Sequence, residues 1–179
     1  YLGYKIKASK AKKKLVNEIV DHLEQERICG VAHGPAEYGP RALGNRSLLA
    51  DPRGEDVKDL VNTVKRRQKF RPFAPCVLEE HAHKYFDGFI DYNSPYMQRV
   101  DKCLVTDLPA IVHQDGTSRV QTVSKKDKTI LRAVLEEWYN RTGCPVLLNT
   151  SLNIRGEPMV NDRDSADRFE NLYKIKVFY

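Results

Sequence analysis

Thr142-Gly-Cys-Pro-Val-Leu-Leu-Asn-Thr-Ser-Leu-Asn-Ile-Arg-Gly-Glu-Pro-Met159 switches abruptly from apolar to polar. Pro145 to Leu148 has the β-branched and apolar make-up of a short buried strand, and amide, hydroxyl and guanidinium groups follow from Asn149 to Gly156. This is the composition of a strand whose end opens on a site. Ser151 and Asn153, a hydroxyl and an amide two residues apart, can both turn toward one bound oxyanion.

Upstream of the switch, Ile130, Leu131, Val134, Leu135 and Trp138 share one face of a helix predicted over about Lys128 to Thr142, which stops at Gly143. Near the start, Leu15, Ile19 and Leu23, with Val16 and Val20 beside them, predict a helix from about Ser9 to Glu26. Lysines crowd its first turn and acids its last, against the helix dipole, so its stability has to come from packing. Ile28 to His33 reads as a short strand, and the run from Gly34 to Gly54 carries too many glycines and prolines for regular structure throughout. Val57, Leu60, Val61 and Val64 mark a second helix behind Asp56 as candidate cap, with Lys65, Arg66 and Arg67 in its last turn. Strand-like runs follow around Ala74 to Leu78, Tyr96 to Val105, Ala110 to His113 and Arg119 to Val123. The irregular alternation predicts an α/β (α+β) domain built on a mixed sheet.

At 179 residues, 41% hydrophobic and 30% charged, the chain suits one globular domain spanning 1–179 rather than a disordered segment. The net charge of +6 favours anionic partners, but Lys10, Lys12, Lys13 and Lys14 supply much of the excess, so nucleic acid is not implied. Cys29, Cys76, Cys103 and Cys144 form no Cys-x-x-Cys, which excludes a zinc ribbon or dithiol motif and reads as core. No apolar run approaches a membrane span and no signal-peptide h-region is visible, which favours no membrane partner, a cytoplasmic location and reduced thiols. His81 and His83 lack a third ligand nearby, so no metal site is assigned.

Three cationic stretches need a cause. Arg41, Arg46 and Arg53 lie in a Gly/Pro-rich segment where backbone N–H groups can approach a ligand and arginines can fork onto phosphate or carboxylate oxygens. A solvated turn with surface ion pairs explains any one of them, but three on one loop make an anion site an equal reading. Lys65 and Arg67 suit a helix C-terminus for dipole reasons alone. Arg71, flanked by Phe70, Pro72 and Phe73, is either a guanidinium held for a ligand or a structural ion pair, and Arg119 makes the third stretch.

Taken in order, Glu37-Tyr-Gly-Pro-Arg-Ala-Leu-Gly-Asn-Arg-Ser47, Ala50-Asp-Pro-Arg53, Phe70-Arg-Pro-Phe-Ala-Pro75, Ser94-Pro-Tyr-Met97, Asp115-Gly-Thr-Ser-Arg-Val-Gln121 and Leu148-Asn-Thr-Ser-Leu-Asn153 with Gly156-Glu-Pro158 resemble the C-terminal domain of the O-carbamoyltransferases. That family includes the nodulation-factor and antibiotic-tailoring carbamoyltransferases, and the match runs from about Val31 to Val160.

The resemblance implies a YrdC-like twisted mixed sheet with flanking helices around a basic concave cavity, in which ATP and carbamoyl phosphate give carbamoyl adenylate. It implies catalytic roles for Lys65, Arg119 and Ser151: the two cations neutralise phosphates or the carbamoyl donor, and Ser151 with Asn153 hydrogen-bonds carbamoyl or α-phosphate oxygens. Arg41 and Arg46 would wall the cavity, and Arg67, Arg71, Asn149 and Thr150 complete the implied ATP and carbamoyl phosphate-binding set. Mg2+ would arrive with ATP, held mostly by water and phosphate because no carboxylate cluster stands out.

The family's complete enzymes carry an N-terminal actin-like ATPase-fold domain that binds a metal and transfers the carbamoyl group to an acceptor hydroxyl. These 179 residues do not supply it, and the opening at Tyr1 suits an excised fragment, so an activation half is expected with that transfer domain as its partner. Two positions depart from the family pattern: Pro35 stands where an arginine commonly follows Gly34, and Gln68 where a glutamate is usual. They leave a second reading, a catalytically impaired nucleotide- or RNA-binding YrdC-like module, although the aromatics are not interleaved with basic residues as in strand-based RNA readers.

Overall fold

A computed structural model of the chain describes residues 2–89 and 93–179, and the side chains among them from Ser9 onward. Seven strands form one mixed sheet: β1 (Ile28–Ala32), β2 (Arg46–Ala50), β3 (Ala74–Leu78), β4 (Arg99–Lys102), β5 (Thr117–Val123), β6 (Val146–Ser151) and β7 (Val177–Phe178). Their spatial order is β4-β5-β3-β6-β2-β1-β7, with β3–β5 and β1–β7 parallel and the other neighbours antiparallel. The polar switch of the sequence therefore ends the central strand. β6 is paired on both sides, by β2 and by β3.

Side chains alternate across this strand because successive residues face opposite sides of a sheet. Leu147 joins a core with Val16, Ile19, Val20 and Leu23 of α1 (Leu2–Glu26) and with Leu131, Leu135 and Trp138 of α4 (Ile130–Thr142). Val146 and Leu148 join the opposite core with Val57 and Val61 of α2 (Asp56–Val64), Ala82 of the single-turn helix α3 (Ala82–Tyr85), and Ala166 and Phe169 of α5 (Arg163–Tyr173). α1 offsets its adverse charge pattern by packing and by Arg141 of α4, which reaches Asp21 and, at 3.1 Å, Glu24 near its acidic end. α4 stops where expected, at Gly143 in the left-handed region with φ 73°. At the far edge, Gly30 lets β7 close in, since a Cβ there would stand 2.9 Å from Leu152 and 3.0 Å from Val177.

Several expectations need correction. The breaker-rich run holds β2, because no glycine or proline falls between Gly44 and Pro52 and the apolar Leu48, Leu49 and Ala50 there can pair on both sides. Ala110 to His113 is not a strand: Pro109 opens a short 3₁₀ turn over Pro109–Ile111 instead. The Tyr96–Val105 run is strand only over Arg99–Lys102, since Met97 takes a positive φ of 56° that breaks extension. Asp56 does not cap α2 but pairs with Arg27 at 2.8 Å, and the helix ends at Val64, so Lys65 is its C-cap and Arg66 turns left-handed at φ 52°. α5 and β7 went unanticipated. α5 is nucleated by a capping box in which Asp162 accepts from the Ser165 amide at 2.9 Å.

Candidate active site

Asn149 lies in the middle of the sheet, opposite Leu49 on β2 and Ala74 on β3, and is only 1% exposed. A buried amide must find partners. Its Nδ2 donates to the Ala42 carbonyl at 3.0 Å and to Gln121 Oε1 at 2.7 Å, while Gln121 Nε2 donates to the Leu43 carbonyl at 3.1 Å. Two strands thus grip the loop that follows Glu37. From its other side the Glu37 carboxylate accepts the Leu43 amide at 2.7 Å and the Arg46 amide at 2.9 Å. Gly44 closes the loop against α4 with φ 125°, where a Cβ would meet that of Leu131 at 2.8 Å.

The clamped loop carries Arg41 to a cavity of about 150 Å³ that Arg67, Arg119, Asn149, Thr150 and Ser151 also line, with Phe73 and Met97 among its apolar contributors. Three guanidinium groups meet here without a carboxylate in the lining. Arg119 Nε is buried and has no partner among the described residues. Burial, and then the charge of Arg41, lower the Arg119 pKa. Arg67 lies over the Phe73 ring at 4.2 Å and donates Nε to Asn62 Oδ1 at 2.7 Å; burial, then Arg71, bring its pKa down to about 10. Uncompensated, partly desolvated cations of this kind make a positive potential that an anion relieves.

Behind Ser151 stands Lys65, 5% exposed. Its Nζ is 2.6 Å from the Ser151 carbonyl, 3.3 Å from Ser151 Oγ, 3.1 Å from the Asn153 carbonyl and 3.1 Å from Asn153 Oδ1. Ser151 Oγ in turn donates to Asn153 Oδ1 at 2.6 Å, and Asn153 Nδ2 to the Glu157 carbonyl at 3.0 Å. Burial first and Arg67 second push the Lys65 pKa down to about 7, while the four nearby acceptors favour the ammonium form. Lys65 and Asn153 are outside the cavity lining and reach it through Ser151.

A family model described as the carbamoyltransferase C-terminus matches residues 20–179. The chain belongs to this family. Among curated relatives, the nodulation protein NolO of Bradyrhizobium diazoefficiens is 42% identical over 159 residues, covering 85% of this chain and 29% of the relative. NolNO of Sinorhizobium fredii is 43% identical, covering 75% of this chain and 20% of its own length, and the 3'-hydroxymethylcephem-O-carbamoyltransferase of Amycolatopsis lactamdurans is 38% identical, covering 81% and 28%. The chain spans less than a third of the length of these relatives. Full-length HypF, solved in its phosphate- and nucleotide-bound form, superposes with a TM-score of 0.62 at 18% identity over 92% of this chain and 24% of that one. That likeness is one of fold, and it bears out the YrdC-like α/β architecture that the motifs implied.

The domain uses its remaining arginines differently. Arg46 does not wall the cavity. It is 7% exposed and donates to the backbone carbonyls of Gly34 at 3.1 Å, Asn45 at 2.7 Å and Asn161 at 2.8 Å, tying the loop to the approach to α5. Arg53 pairs with Asp51 at 2.8 Å and sits over Trp138 at 5.0 Å, so it too is structural. Arg71 is exposed beside the cavity, its carbonyl held by Asn62 Nδ2 at 3.0 Å. Pro35 and Gln68, where the chain departs from the family pattern, are both exposed and outside the lining. Glu37, Asn62 and Gln121 are the supporting residues that sequence reasoning missed. A polar residue two positions after Arg119 on an alternating strand was the signal for Gln121, since both face one side.

Two wider depressions, of about 490 and 500 Å³, are lined by mixed acids and lysines and bring no such group of cations together. Among the described residues no group of three or more His, Cys, Asp or Glu could hold a metal, and no helix is long and apolar enough to cross a membrane.

Proposed function

We propose that this domain activates a carbamoyl group by joining it to AMP, for transfer to an acceptor hydroxyl by another domain of the full-length protein. The observation that carries this reading is the carboxylate-free meeting of Arg41, Arg67 and Arg119 around Ser151. Pockets for whole drug-sized ligands run to roughly 300–1,000 Å³, so a cavity of about 150 Å³ suits a phosphate or carbamoyl group with the nucleoside extending outside it. Convergence of the cations on one cavity also favours a small anion over a nucleic-acid strand.

In the proposed reaction, water first releases phosphate from carbamoyl phosphate to leave carbamate. A carbamate oxygen then attacks the α-phosphorus of ATP, the bond to the bridging oxygen of the β-phosphate breaks, and pyrophosphate leaves with that electron pair. Arg119 and Arg67 offset the charge that brings the two anions together, and Lys65 holds the wall behind them. The Ser151 hydroxyl turns from Asn153 toward a ligand oxygen, which leaves Asn153 held by Lys65 and the Glu157 carbonyl. Magnesium held by the nucleotide phosphates and water would supply further charge neutralisation there, the cavity lining itself offering it no carboxylate.

A thermal-shift series with ATP, magnesium and carbamoyl phosphate tests this reading. Specific stabilisation by both substrates is expected. Absence of any stabilisation by either would refute it and favour a module that kept the fold without the chemistry.

A further inference from the structure

We propose that Asn149 reads the amide end of the carbamoyl group, its side-chain oxygen accepting a hydrogen bond from the ligand –NH2. The inference rests on the proposed function and adds to it the atom that tells carbamoyl from acyl groups of the same shape.

The argument starts from the orientation of two buried amides. Ala42 presents a backbone carbonyl to one end of the Asn149 side chain at 3.0 Å, and a carbonyl can only accept. That end must be the NH2, so the orientation is fixed by an unambiguous neighbour rather than by the shape of the side chain. The Leu43 carbonyl fixes Gln121 in the same way, and Gln121 then offers Oε1 to the second Asn149 hydrogen at 2.7 Å. Both hydrogens of Asn149 are therefore used.

What remains is the oxygen. Asn149 Oδ1 is buried without a partner among the described residues, on a residue that is 1% exposed and lines the cavity. An unpaired buried acceptor is costly unless something supplies a donor. The charged groups around it are all donors: Arg41, Arg67 and Arg119, the last with Nε also unpaired. A nucleotide α-phosphate, which carries no hydroxyl, satisfies the donors and leaves the Asn149 oxygen unmatched. A carbamoyl group carries an oxygen and an N–H on one planar carbon and matches both. An acetyl group of the same size puts a methyl where the amide would be.

Calorimetric titration of the 179-residue chain with inorganic phosphate, freshly dissolved carbamoyl phosphate and acetyl phosphate tests the proposal. Wild type should bind phosphate, and should bind carbamoyl phosphate at least about tenfold more tightly than acetyl phosphate, because a site built around an N–H rejects the analogue lacking it. Asn149→Asp and Asn149→Leu both remove the donors to Ala42 and Gln121, but only the aspartate keeps an acceptor. The preference should survive in Asn149→Asp, although all anions bind more weakly, and fall to about one in Asn149→Leu.

Equal binding of the two acyl phosphates by wild type overturns the proposal while the anion cavity stands, and a preference retained in Asn149→Leu overturns the assignment to this residue. Should neither variant fold, the wild-type ratio alone decides. Failure of wild type to bind even phosphate overturns the inference together with the function it rests on.

Discussion

Lys65 Nζ lies 2.6 Å from the carbonyl oxygen of Ser151, so the C-cap of α2 is fastened to the last residue of the central strand. One contact joins the two cores' elements at the site. It also places a buried cation one residue's depth behind the cavity.

The protonation of Lys65 should be visible in anion binding. Its pKa is lowered to about 7, so the ammonium is charged below that pH and increasingly neutral above it. Sulfate keeps its charge across this range, and its affinity should fall as pH rises through about 7. Lys65→Met should bind sulfate weakly at every pH and lose the inflection; the same inflection in that variant would assign it to another group.

Arg119 and Arg46 should separate cleanly. Arg119→Ala removes a donor from the cavity, and a hydrogen bond to a charged group is worth about 1.5–3 kcal/mol, so phosphate should bind roughly ten- to a hundredfold more weakly with little change in melting temperature. Arg46→Ala removes part-buried hydrogen bonds to three backbone carbonyls and should cost about 1–3 kcal/mol in urea unfolding. The reverse pattern would show that their roles are exchanged.

Glu37 is a positioning residue. Its carboxylate accepts the amides of Leu43 and Arg46, so Glu37→Ala should speed hydrogen exchange at those two amides and lower stability by roughly 1–3 kcal/mol. Phosphate affinity should fall with it because Arg41 loses its held loop. Unchanged exchange at Leu43 would show that the two strand amides hold the loop alone.

Trp138 anchors the core under α1 and α4, fully buried with its indole N–H on the Val146 carbonyl at 3.2 Å. Trp138→Ala should cost about 3–5 kcal/mol, read from chemical denaturation.

The parts of the fold legible in the sequence were those with a strong period. Ile130 to Trp138 and Leu15 to Leu23 repeat at helical spacing and became α4 and the buried face of α1. β2 was hidden because Arg46 to Ala50 has no alternation: buried on both faces, it reads as a short apolar tail of a loop. At the site, residue types pointed to an anion, and the cavity does gather Arg41, Arg67, Arg119 and the β6 end. Arg46 misled because a guanidinium spent on three backbone carbonyls looks, in a sequence, the same as one held for a ligand. Gln121 acts across segments far apart in the chain, so only its alternation with Arg119 hinted at it, while Glu37 and Asn62 serve nearby loop backbone and side chains through turns that carry no hydrophobic period.

The most direct measurement is carbamoyl phosphate-dependent exchange of labelled pyrophosphate into ATP by the complete enzyme, wild type against Lys65→Ala, Ser151→Ala and Arg119→Ala. Wild type should exchange, and each variant should lose exchange while keeping its native circular dichroism spectrum, Ser151→Ala and Arg119→Ala with little change in melting temperature and Lys65→Ala with a lowered one. Exchange at the wild-type rate in the folded variants would contradict carbamoyl activation at this cavity.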